Sequence, residues 1–252
     1  MGVVNITPDS FSDGGRFLDP EAAVSHARRL AGEGADLIDI GGESTRPGAD
    51  PVSEQQELQR VLPVLEKIRD LCVSVDTRRP RVMREALAAG ASMINDVDAL
   101  AAPGALEAVA AGNCAVCLMH KKGEPATMQR DPHYDDVVRE VKDFLKQRVD
   151  AALGAGIAAA RIVVDPGFGF GKTAAHNLVL LKHLSRLSEL PILAGLSRKS
   201  TLGKLTGRPV EERLAGSLAM ALLALQHGAT ILRVHDVKET RDVIAVWQAT
   251  KQ

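Results

Sequence analysis

The sequence is poor in the residues that would tie it to several common protein classes. Its 252 residues include three Cys, one Trp, one Tyr and five Phe, so no disulfide framework is implied. Lys and Arg (31) nearly balance Asp and Glu (32), which leaves no general field to attract nucleic acid or an anionic membrane. The sequence has no apolar stretch of about twenty residues and no basic and then apolar signal pattern at its start. We therefore expect a soluble, cytoplasmic protein that binds neither nucleic acid nor membrane.

Two of the cysteines, Cys114 and Cys117, form a C-x-x-C pattern. In redox proteins this pattern opens a helix, whereas here it lies inside the apolar run Cys114–Met119. On a strand, residues three positions apart point to opposite faces. We therefore expect these cysteines to pack in the core rather than to carry redox or metal chemistry.

The chain does contain eight short apolar runs that each stop at a polar or Gly-rich cluster: VVN-ITPDS, LIDI-GGESTR, VSV-DTR, SMI-NDVD, VCL-MH, RIVV-DPGFGFG, ILAG-LSRKS and ILRV-HD. The runs are apolar almost throughout, as expected for parallel strands buried on both faces. Strand and helix repeated eight times predict a single (β/α)8 TIM barrel over residues 1–252, with the active site at the carboxyl ends of the strands. The segments with helical periodicity between the runs include Pro20–Glu33, Ser53–Asp70, Pro80–Ala89, Pro103–Ala111, Asp135–Leu153 and Val210–His227.

Acidic and amide groups follow three of the runs. Asp76 and Asp165 come directly after apolar residues and are expected low in the pocket, beside the amide of Asn95. Paired carboxylates could act as acid and base in hydrolysis, bind a metal, or accept hydrogen bonds from a ligand rich in N–H donors. His120 and His235 are the histidines at strand ends, and neither has an H-x-H partner, which disfavours zinc hydrolysis.

Cationic residues follow other runs. Arg46 follows the second, Arg198 and Lys199 the seventh, and Arg233 and His235 surround the end of the eighth. In a chain of nearly balanced charge, these residues predict a cation-rich rim above an acidic floor. Such a rim is typical of a phosphate or diphosphate site.

The Gly-rich stretch Gly167–Thr173 does not match the common nucleotide motifs. A Walker A loop needs one more residue before its GK[ST] end, and Lys172 occupies the place of the third Gly in G-x-G-x-x-G. We interpret the stretch as a flexible wall of the active site. Phe168 and Phe170 would either contact a flat ligand there or pack against neighbouring side chains.

Eight strings, in this order and at these spacings, carry a family resemblance: NITPDSFSDGG, DIGGESTRPGA, SVDT, IND, LMH, DPGFGFGK, SRKS and RVHDVKET. From Met1 to about Ala245 the sequence resembles the dihydropteroate synthase family. The resemblance implies that 6-hydroxymethyl-7,8-dihydropterin diphosphate loses pyrophosphate and that the amine of 4-aminobenzoate takes its place. The product would be 7,8-dihydropteroate for folate biosynthesis, and sulfonamides would compete with 4-aminobenzoate.

The resemblance also assigns residues, motif by motif. The pterin would be bound by Asp76, Asn95, Met119, Asp165 and Lys199. The diphosphate, with Mg2+ as the cofactor and Asn5 as its protein ligand, would be bound by Asn5, Thr45, Arg46, Arg233 and His235. The 4-aminobenzoate would be bound by Phe11, Thr45, Pro47, Phe170 and Ser197. Catalysis would depend on Asp76, Lys199, Arg233 and His235.

Elementary chemistry supports these assignments. The aminopyrimidinone edge of a pterin carries adjacent N–H donors, for which a buried carboxylate is the geometric match. If diphosphate leaves before the amine attacks, a carboxylate near the methylene stabilises the cation, and we give Asp76 that role as a hypothesis. The loops Ile6–Phe17 and Glu43–Pro51 are rich in Gly, Pro, Ser and Asp, which predicts lids that become ordered when diphosphate binds.

Two other functions stay open at this point. A pterin-dependent methyltransferase barrel should lack TRPG and SRKS, and a non-catalytic pterin-binding paralogue should have lost TPDSF and STRPG, but all four strings are present. The helix expected over Arg213–His227 is apolar around most of its circumference, which predicts a homodimer. Met1 falls at the first strand, where family members carry a further segment over the barrel bottom. We expect either that this segment has been trimmed or that another element closes that end.

Overall fold

The structure, a computed structural model, describes residues 1–6, 20–43, 52–124 and 127–251. Within these ranges, strands and helices alternate along the chain. The strands are β1 (Gly2–Asn5), β2 (Ile38–Gly41), β3 (Val73–Asp76), β4 (Met93–Asp96), β5 (Ala115–Met119), β6 (Ile162–Asp165), β7 (Leu193–Ala194) and β8 (Ile231–Leu232). The α-helices are α1 (Pro20–Gly32), α2 (Glu54–Lys67), α3 (Pro80–Ala88), α4 (Ala105–Ala110), α5 (Val137–Gly154), α6 (Ala174–Lys182), α7 (Ser200–Thr206), α8 (Leu214–Gln226) and α9 (Val237–Ala249).

The strands form a closed parallel ring. β1 to β6 pair in sequence order in one sheet, and β7 pairs with β8. A parallel bridge between Val164 and Ile192 joins β6 to the start of β7, and another between Gly2 and Val234 joins β1 to the end of β8. Each strand is followed by at least one helix, so the predicted (β/α)8 barrel is confirmed.

The outer face of the strands forms the main hydrophobic core with the helices. Val4, Ile40, Val75, Ile94 and Val116 are aligned on neighbouring strands, and none of them is exposed. Since side chains alternate along a strand, the residues between them face the barrel interior. This apolar layer fixes which residues of each strand can reach the site.

The inner face is more polar than the apolar runs predicted. Asp39 and Ser74 occupy inner positions and are fully buried. A separate small cluster of apolar side chains includes Met93 and Cys117, whereas Cys114 belongs to the main core. Both cysteines are buried and form no disulfide, in keeping with the packing roles predicted for them.

Local sequence signals set several helix starts. At α2, the Gln56 amide donates to Ser53 Oγ at 3.2 Å and the Ser53 amide donates to Gln56 Oε1 at 2.8 Å, which is a capping box. At α5, the carboxylate of Asp136 accepts the amides of Val138 and Arg139, each at 3.1 Å. These helices start within two residues of their predicted positions.

One predicted helix is divided. Residues 210–227 do not form a single helix, because Val210–Glu212 is a separate 3-10 turn and α8 begins at Leu214. The backbone angles of Arg213, −92° and 10°, interrupt the helix. The side chain of Arg213 bonds back to the preceding loop, with Nε donating to the carbonyl of Arg208 at 3.1 Å. Among the described residues, no helix is both long and apolar enough to cross a membrane.

Candidate active site at the carboxyl end of the barrel

Residues at the carboxyl ends of the first four strands lie at one level of the barrel. In the parallel register, Asn5 is opposite Gly41, Gly41 is opposite Asp76, and Asp76 is opposite Asn95. Because parallel strands end at the same rim, the three polar side chains predicted here from sequence come together. They form the floor on one side of the barrel mouth.

Arg233 joins two carboxylates inside this floor. Its Nε donates to Asp39 Oδ2 at 2.6 Å, and its Nη2 donates to Asp76 Oδ2 at 3.2 Å. Nδ2 of Asn95 donates to the same Asp39 oxygen at 3.3 Å. Asp39 is fully buried, while the Asp76 side chain is 24% exposed toward the mouth. Asp39 therefore holds Arg233, and Arg233 in turn holds Asp76 at the surface of the site.

The charges in this network act on one another. Burial and repulsion from Asp39 raise the pKa of Asp76, while the Arg233 guanidinium opposes the rise. Burial by itself would lower the pKa of Arg233, but attraction from Asp39 and Asp76 outweighs that effect and raises it. Arg233 therefore stays charged and favours the ionised form of the carboxylate at the mouth.

Asp165 forms the opposite part of the floor. Its Oδ1 accepts the amide of Gly167 at 2.7 Å, and its backbone pairs in register with Met119 at the end of β5. Burial raises the pKa of Asp165 to about 6, against the Gly167 hydrogen bond and the positive charge of Lys199. Asp165 and Met119 are both less than a tenth exposed. A carboxylate in this position can accept N–H donors from a ligand.

Basic and hydroxyl groups line the side formed by β6, β7 and β8. Nζ of Lys199 lies 4.4 Å from the ring centroid of Phe170, which is a cation–π contact. Ser197 Oγ accepts the amide of His235 at 3.3 Å and lies 3.0 Å from Nδ1 of the same residue. The structure thus brings together predicted residues from the turns after β6, β7 and β8.

The turn that carries Ser197 and Lys199 is built around a residue in a left-handed conformation. Arg198 has a φ of 59°, which is uncommon for a residue other than Gly. Its amide donates to Ser217 Oγ at 3.0 Å, its carbonyl accepts Nη1 of Arg213 at 3.1 Å, and its guanidinium forms a two-pronged ion pair with Asp236. The neighbouring elements therefore hold this strained backbone in place.

The glycine-rich loop after β6 is held at several points. Tyr134 Oη donates to the carbonyl of Gly171 at 2.9 Å, and the amide of Gly169 donates to Asn177 Oδ1 at 3.0 Å. A Cβ on Gly167 or Gly171 would overlap backbone carbonyl oxygens of the loop after β5, so this close approach requires Gly. The many fixed contacts differ from the flexible wall that we predicted.

The two phenylalanines of this loop have different environments. Phe168 is 2% exposed and belongs to the main hydrophobic core. Of the two roles predicted for it, its position matches local packing. Phe170 is half-buried beneath Lys199. Only Phe170 is therefore a candidate for ligand contact.

The base of the second loop is anchored by arginines after β3. Arg79 Nη2 donates to Glu43 Oε1 at 3.0 Å and also bonds to the carbonyl of Val52, and Arg78 Nε donates to Glu43 Oε2 at 3.2 Å. Glu43 and Val52 flank residues 44–51. The predicted ligands Phe11, Thr45, Arg46 and Pro47, and most of both predicted lids, lie outside the described residues.

Comparison with known proteins decides the family. The family model for pterin binding enzymes matches residues 1–235.

The chain belongs to the pterin binding enzyme family.

Its relatives in this family are dihydropteroate synthases. The enzyme of Haemophilus influenzae is 50% identical over 99% of this chain and 93% of its own length. The Xanthomonas albilineans enzyme with 4-aminobenzoic acid has a TM-score of 0.94 at 58% identity, covering 99% of this chain and 92% of that one. In complex with 7,8-dihydropteroate it has a TM-score of 0.89 at 55% identity, with the same coverage. The Yersinia pestis enzyme in a sulfonamide drug complex has a TM-score of 0.94 at 49% identity, covering 99% and 93%. These matches confirm the resemblance inferred from the motifs.

One buried residue of this site was not found from the sequence. Asp39 lies within the apolar run LIDI, before the polar cluster that follows the run. An acidic residue inside an otherwise apolar strand was the available signal, since a buried charge needs a partner. Its partner Arg233 lies at the end of β8, 194 residues away in sequence.

The oxygen ligands in the described residues fit a magnesium ion that arrives with phosphate. The described residues form no group of three or more His, Cys, Asp or Glu that could hold a metal ion. Mg2+ commonly takes one or two protein oxygens and completes its shell with water and phosphate oxygens. The side-chain oxygen of Asn5, at the end of β1 in the floor, could serve as such a protein ligand.

Proposed function

We propose that this protein is a dihydropteroate synthase, a transferase of folate synthesis. It joins 6-hydroxymethyl-7,8-dihydropterin diphosphate to 4-aminobenzoate and releases pyrophosphate. The bond between the methylene carbon and the diphosphate oxygen breaks, a bond from the amine nitrogen to that carbon forms, and the amine gives up one proton. The observation that carries the proposal is the floor of Asp76, Asn95 and Asp165 in a barrel that is 50% identical to such enzymes over 99% of its length.

The pterin binds to the floor in this mechanism. The Asp165 carboxylate accepts the N–H donors of the aminopyrimidinone edge, and Asn95 can donate and accept with its amide. Lys199 and Met119 complete the pterin site. The Asp76 side chain is partly exposed toward the mouth, and Arg233 favours its ionised form against burial and Asp39, which raise its pKa to about 7. In that ionised form Asp76 stabilises positive charge on the methylene carbon as the diphosphate departs.

The diphosphate binds above the floor, toward the ends of β1, β2 and β8. Asn5 would hold Mg2+, which neutralises charge on the departing oxygen when it is bound. Thr45, Arg46, Arg233 and His235 provide the further contacts. His235 is oriented by Ser197, whose Oγ lies 3.0 Å from Nδ1. No proton has to be donated to the leaving group, because cations stabilise it directly.

The 4-aminobenzoate binds beside the cation–π pair. The ring of Phe170 forms one wall and Ser197 another, with Phe11, Thr45 and Pro47 supplied by the first two loops. Sulfonamides occupy the same place and compete with 4-aminobenzoate. Since the first two loops also contact diphosphate, the second substrate binds after the first.

A pyrophosphate release assay tests the proposal. The purified protein is incubated with the pterin diphosphate, with and without 4-aminobenzoate and Mg2+. We expect release that depends on both additions and yields 7,8-dihydropteroate. Binding of the pterin without aminobenzoate-dependent release would identify a non-catalytic binding protein instead.

We also propose that the protein is a homodimer that uses the region of α7 and α8. Leu205, Val210, Leu214 and Leu223 are between 37% and 52% exposed there. Large apolar side chains clustered on a surface are typical of an interface. Sedimentation at micromolar concentration should give a dimer, and replacing Leu214 by Glu should shift it toward monomer. A wild-type monomer would contradict this part of the proposal.

A further inference from the structure

A buried lysine after the glycine-rich loop has no part in the reaction proposed above. Lys172 is 2% exposed. Its Nζ lies 2.8 Å from Nδ1 of His120, 3.0 Å from the carbonyl oxygen of Gly167 and 3.0 Å from that of Phe170. A lysine ammonium has three N–H donors and no acceptor, so these contacts match its donors one to one. A fourth, longer contact runs to the carbonyl of His120 at 3.4 Å.

The imidazole partner is fixed and neutral. Burial lowers the pKa of His120 to about 3, and the charge of Lys172 adds to the effect. When Lys172 is charged, Nδ1 of the neutral ring accepts a lysine N–H, and the ring proton is then on Nε2. The ring packs edge-on against Phe144 with 4.9 Å between ring centroids. Lys172 thus ties the loop after β6 to a rigid group after β5.

Core stability does not account for a lysine at this position. Burial lowers the pKa of Lys172 to about 7, and Asp165 opposes this change. The bonds found for its Nζ in the described part of the chain go to neutral acceptors, with no carboxylate among them. Burying a charge on neutral acceptors is costly, and an apolar side chain of similar volume avoids that cost. We therefore attribute the presence of a lysine at this position to a role in positioning the groups that it binds.

Those groups form the turn that carries the aromatic wall. Phe170 donates its amide to the carbonyl of Gly167 at 3.1 Å, and the amide of Gly167 bonds to Asp165. Lys172 binds the carbonyls at both ends of this turn. The Phe170 ring then lies under Nζ of Lys199, at 4.4 Å. Moving the turn would move Phe170 relative to the Asp165 floor.

We propose that Lys172 is a positioning residue for the second substrate. Its Nζ donates to the carbonyls of Gly167 and Phe170 and so locks the turn between them, and the Phe170 ring and the overlying Lys199 then present a fixed wall to the ring of 4-aminobenzoate. The inference rests on the proposed synthase function. It assigns to Lys172 no contact with either substrate.

The test compares Lys172→Met with a control residue that bonds to the same loop. Tyr134→Phe removes a hydrogen bond to Gly171, outside the turn that Lys172 locks. Because a small misplacement of a binding group has a large effect, we expect Lys172→Met to raise the KM for 4-aminobenzoate about tenfold or more. The KM for the pterin diphosphate should change less than about twofold, and sulfonamide inhibition should weaken in parallel with 4-aminobenzoate. Tyr134→Phe should lower thermal stability and leave both KM values near wild type.

The outcomes separate the two proposals. A wild-type protein without aminobenzoate-dependent pyrophosphate release refutes the synthase function itself. An active wild type with equal changes in both KM values for Lys172→Met, or with a change in kcat alone, overturns the positioning role. Lys172→Gln, which keeps two donors, should give an intermediate KM for 4-aminobenzoate. If neither variant folds, Lys172 is a structural residue and the inference is wrong.

Discussion

The two sides of the barrel mouth are held together by different kinds of bond. On the side of β2, β3 and β8, charged side chains bind one another, with Arg233 between Asp39 and Asp76. On the side of β6 and β7, Lys172 binds backbone carbonyls of the loop after β6 and Arg213 binds those of the turn after β7, where Arg198 also pairs with Asp236. The first arrangement sets the charge offered to a ligand, and the second sets the position of a wall. Substitutions on the two sides should therefore affect different measured quantities.

The largest effect is expected from Arg233→Met on the charged side. The change leaves Asp39 and Asp76 facing each other without their shared cation, and removing one partner of a buried ion pair typically costs about 3–5 kcal/mol. We expect a loss of that order in the free energy of unfolding measured with urea at neutral pH. Activity should fall by about a thousandfold, because Asp76 loses the cation that favours its ionised form and the diphosphate loses one of its positive contacts.

A second substitution checks the cause of that loss. Arg233→Met combined with Asp39→Asn removes the repulsion between the two carboxylates. Stability should then recover in part, while activity should not. A double variant no more stable than Arg233→Met would contradict the electrostatic explanation.

Asp76→Asn is expected to have the next largest effect. The neutral amide keeps the shape of the side chain but removes the charge that stabilises the methylene cation. We expect kcat to fall by about 10²–10³-fold, which is the typical effect of losing one transition-state contact. The Kd of the pterin diphosphate should change much less, because the lost charge acts mainly in the transition state. Steady-state kinetics and equilibrium binding measure the two quantities, and equal losses in both would refute the assigned role.

The comparison also shows what the sequence could predict. Asp76, Asn95 and Asp165 were found because the ends of parallel strands meet at one rim, and that rule needs only the order of strands. Asp39 was missed because it lies between two Ile residues, and an apolar run does not show which of its residues face the barrel interior. Lys172 was examined only as part of a phosphate motif. Its partners are the imidazole of His120 and backbone carbonyls, which no sequence pattern identifies.

Other differences have the same origin in tertiary contacts. No local pattern distinguishes Phe168 from Phe170, yet Phe168 belongs to the core and Phe170 lies beneath Lys199. The division between the turn at Val210–Glu212 and α8 follows from a side chain of Arg213 that bonds back to the loop. Helical periodicity is unchanged by such a bond. Local patterns therefore predicted the elements, and long-range contacts decided their boundaries and exposure.

A pH dependence of stability is expected from a buried carboxylate at the end of β4, next to the charged side. Asp96, next to Asn95, is fully buried and accepts the amides of Asp98 and Leu100, each at 2.8 Å. Burial raises the pKa of Asp96 to about 7. Because this exceeds the value of about 3.9 in an unfolded chain, the folded state holds the proton more tightly. The stability that Asp96 contributes is therefore present below about pH 4 and is lost as the pH rises toward 7.

Asp96→Asn should remove this dependence. Between about pH 4 and 7, we expect the free energy of unfolding of the wild type to fall relative to the variant, by at most about 1.4 kcal/mol per pH unit. Urea unfolding at several pH values measures the difference. The variant itself will be less stable at its optimum, because an amide cannot accept both backbone hydrogen bonds equally. Parallel pH profiles for the two proteins would contradict the raised pKa.

The smallest effect is expected from Ser217→Ala on the carbonyl-bound side. Ser217 Oγ accepts the amide of Arg198, whose φ of 59° is held by several other bonds. Removing one of these should cost about 1 kcal/mol in the free energy of unfolding. Lys199 and Ser197 would shift slightly with the turn, so kcat/KM should fall only a few fold, with no change in its pH profile. Ser188→Ala, far from the site, is the matched control. A change in the pH profile of Ser217→Ala would mean that this side also sets charge, and the distinction between the two sides would then fail.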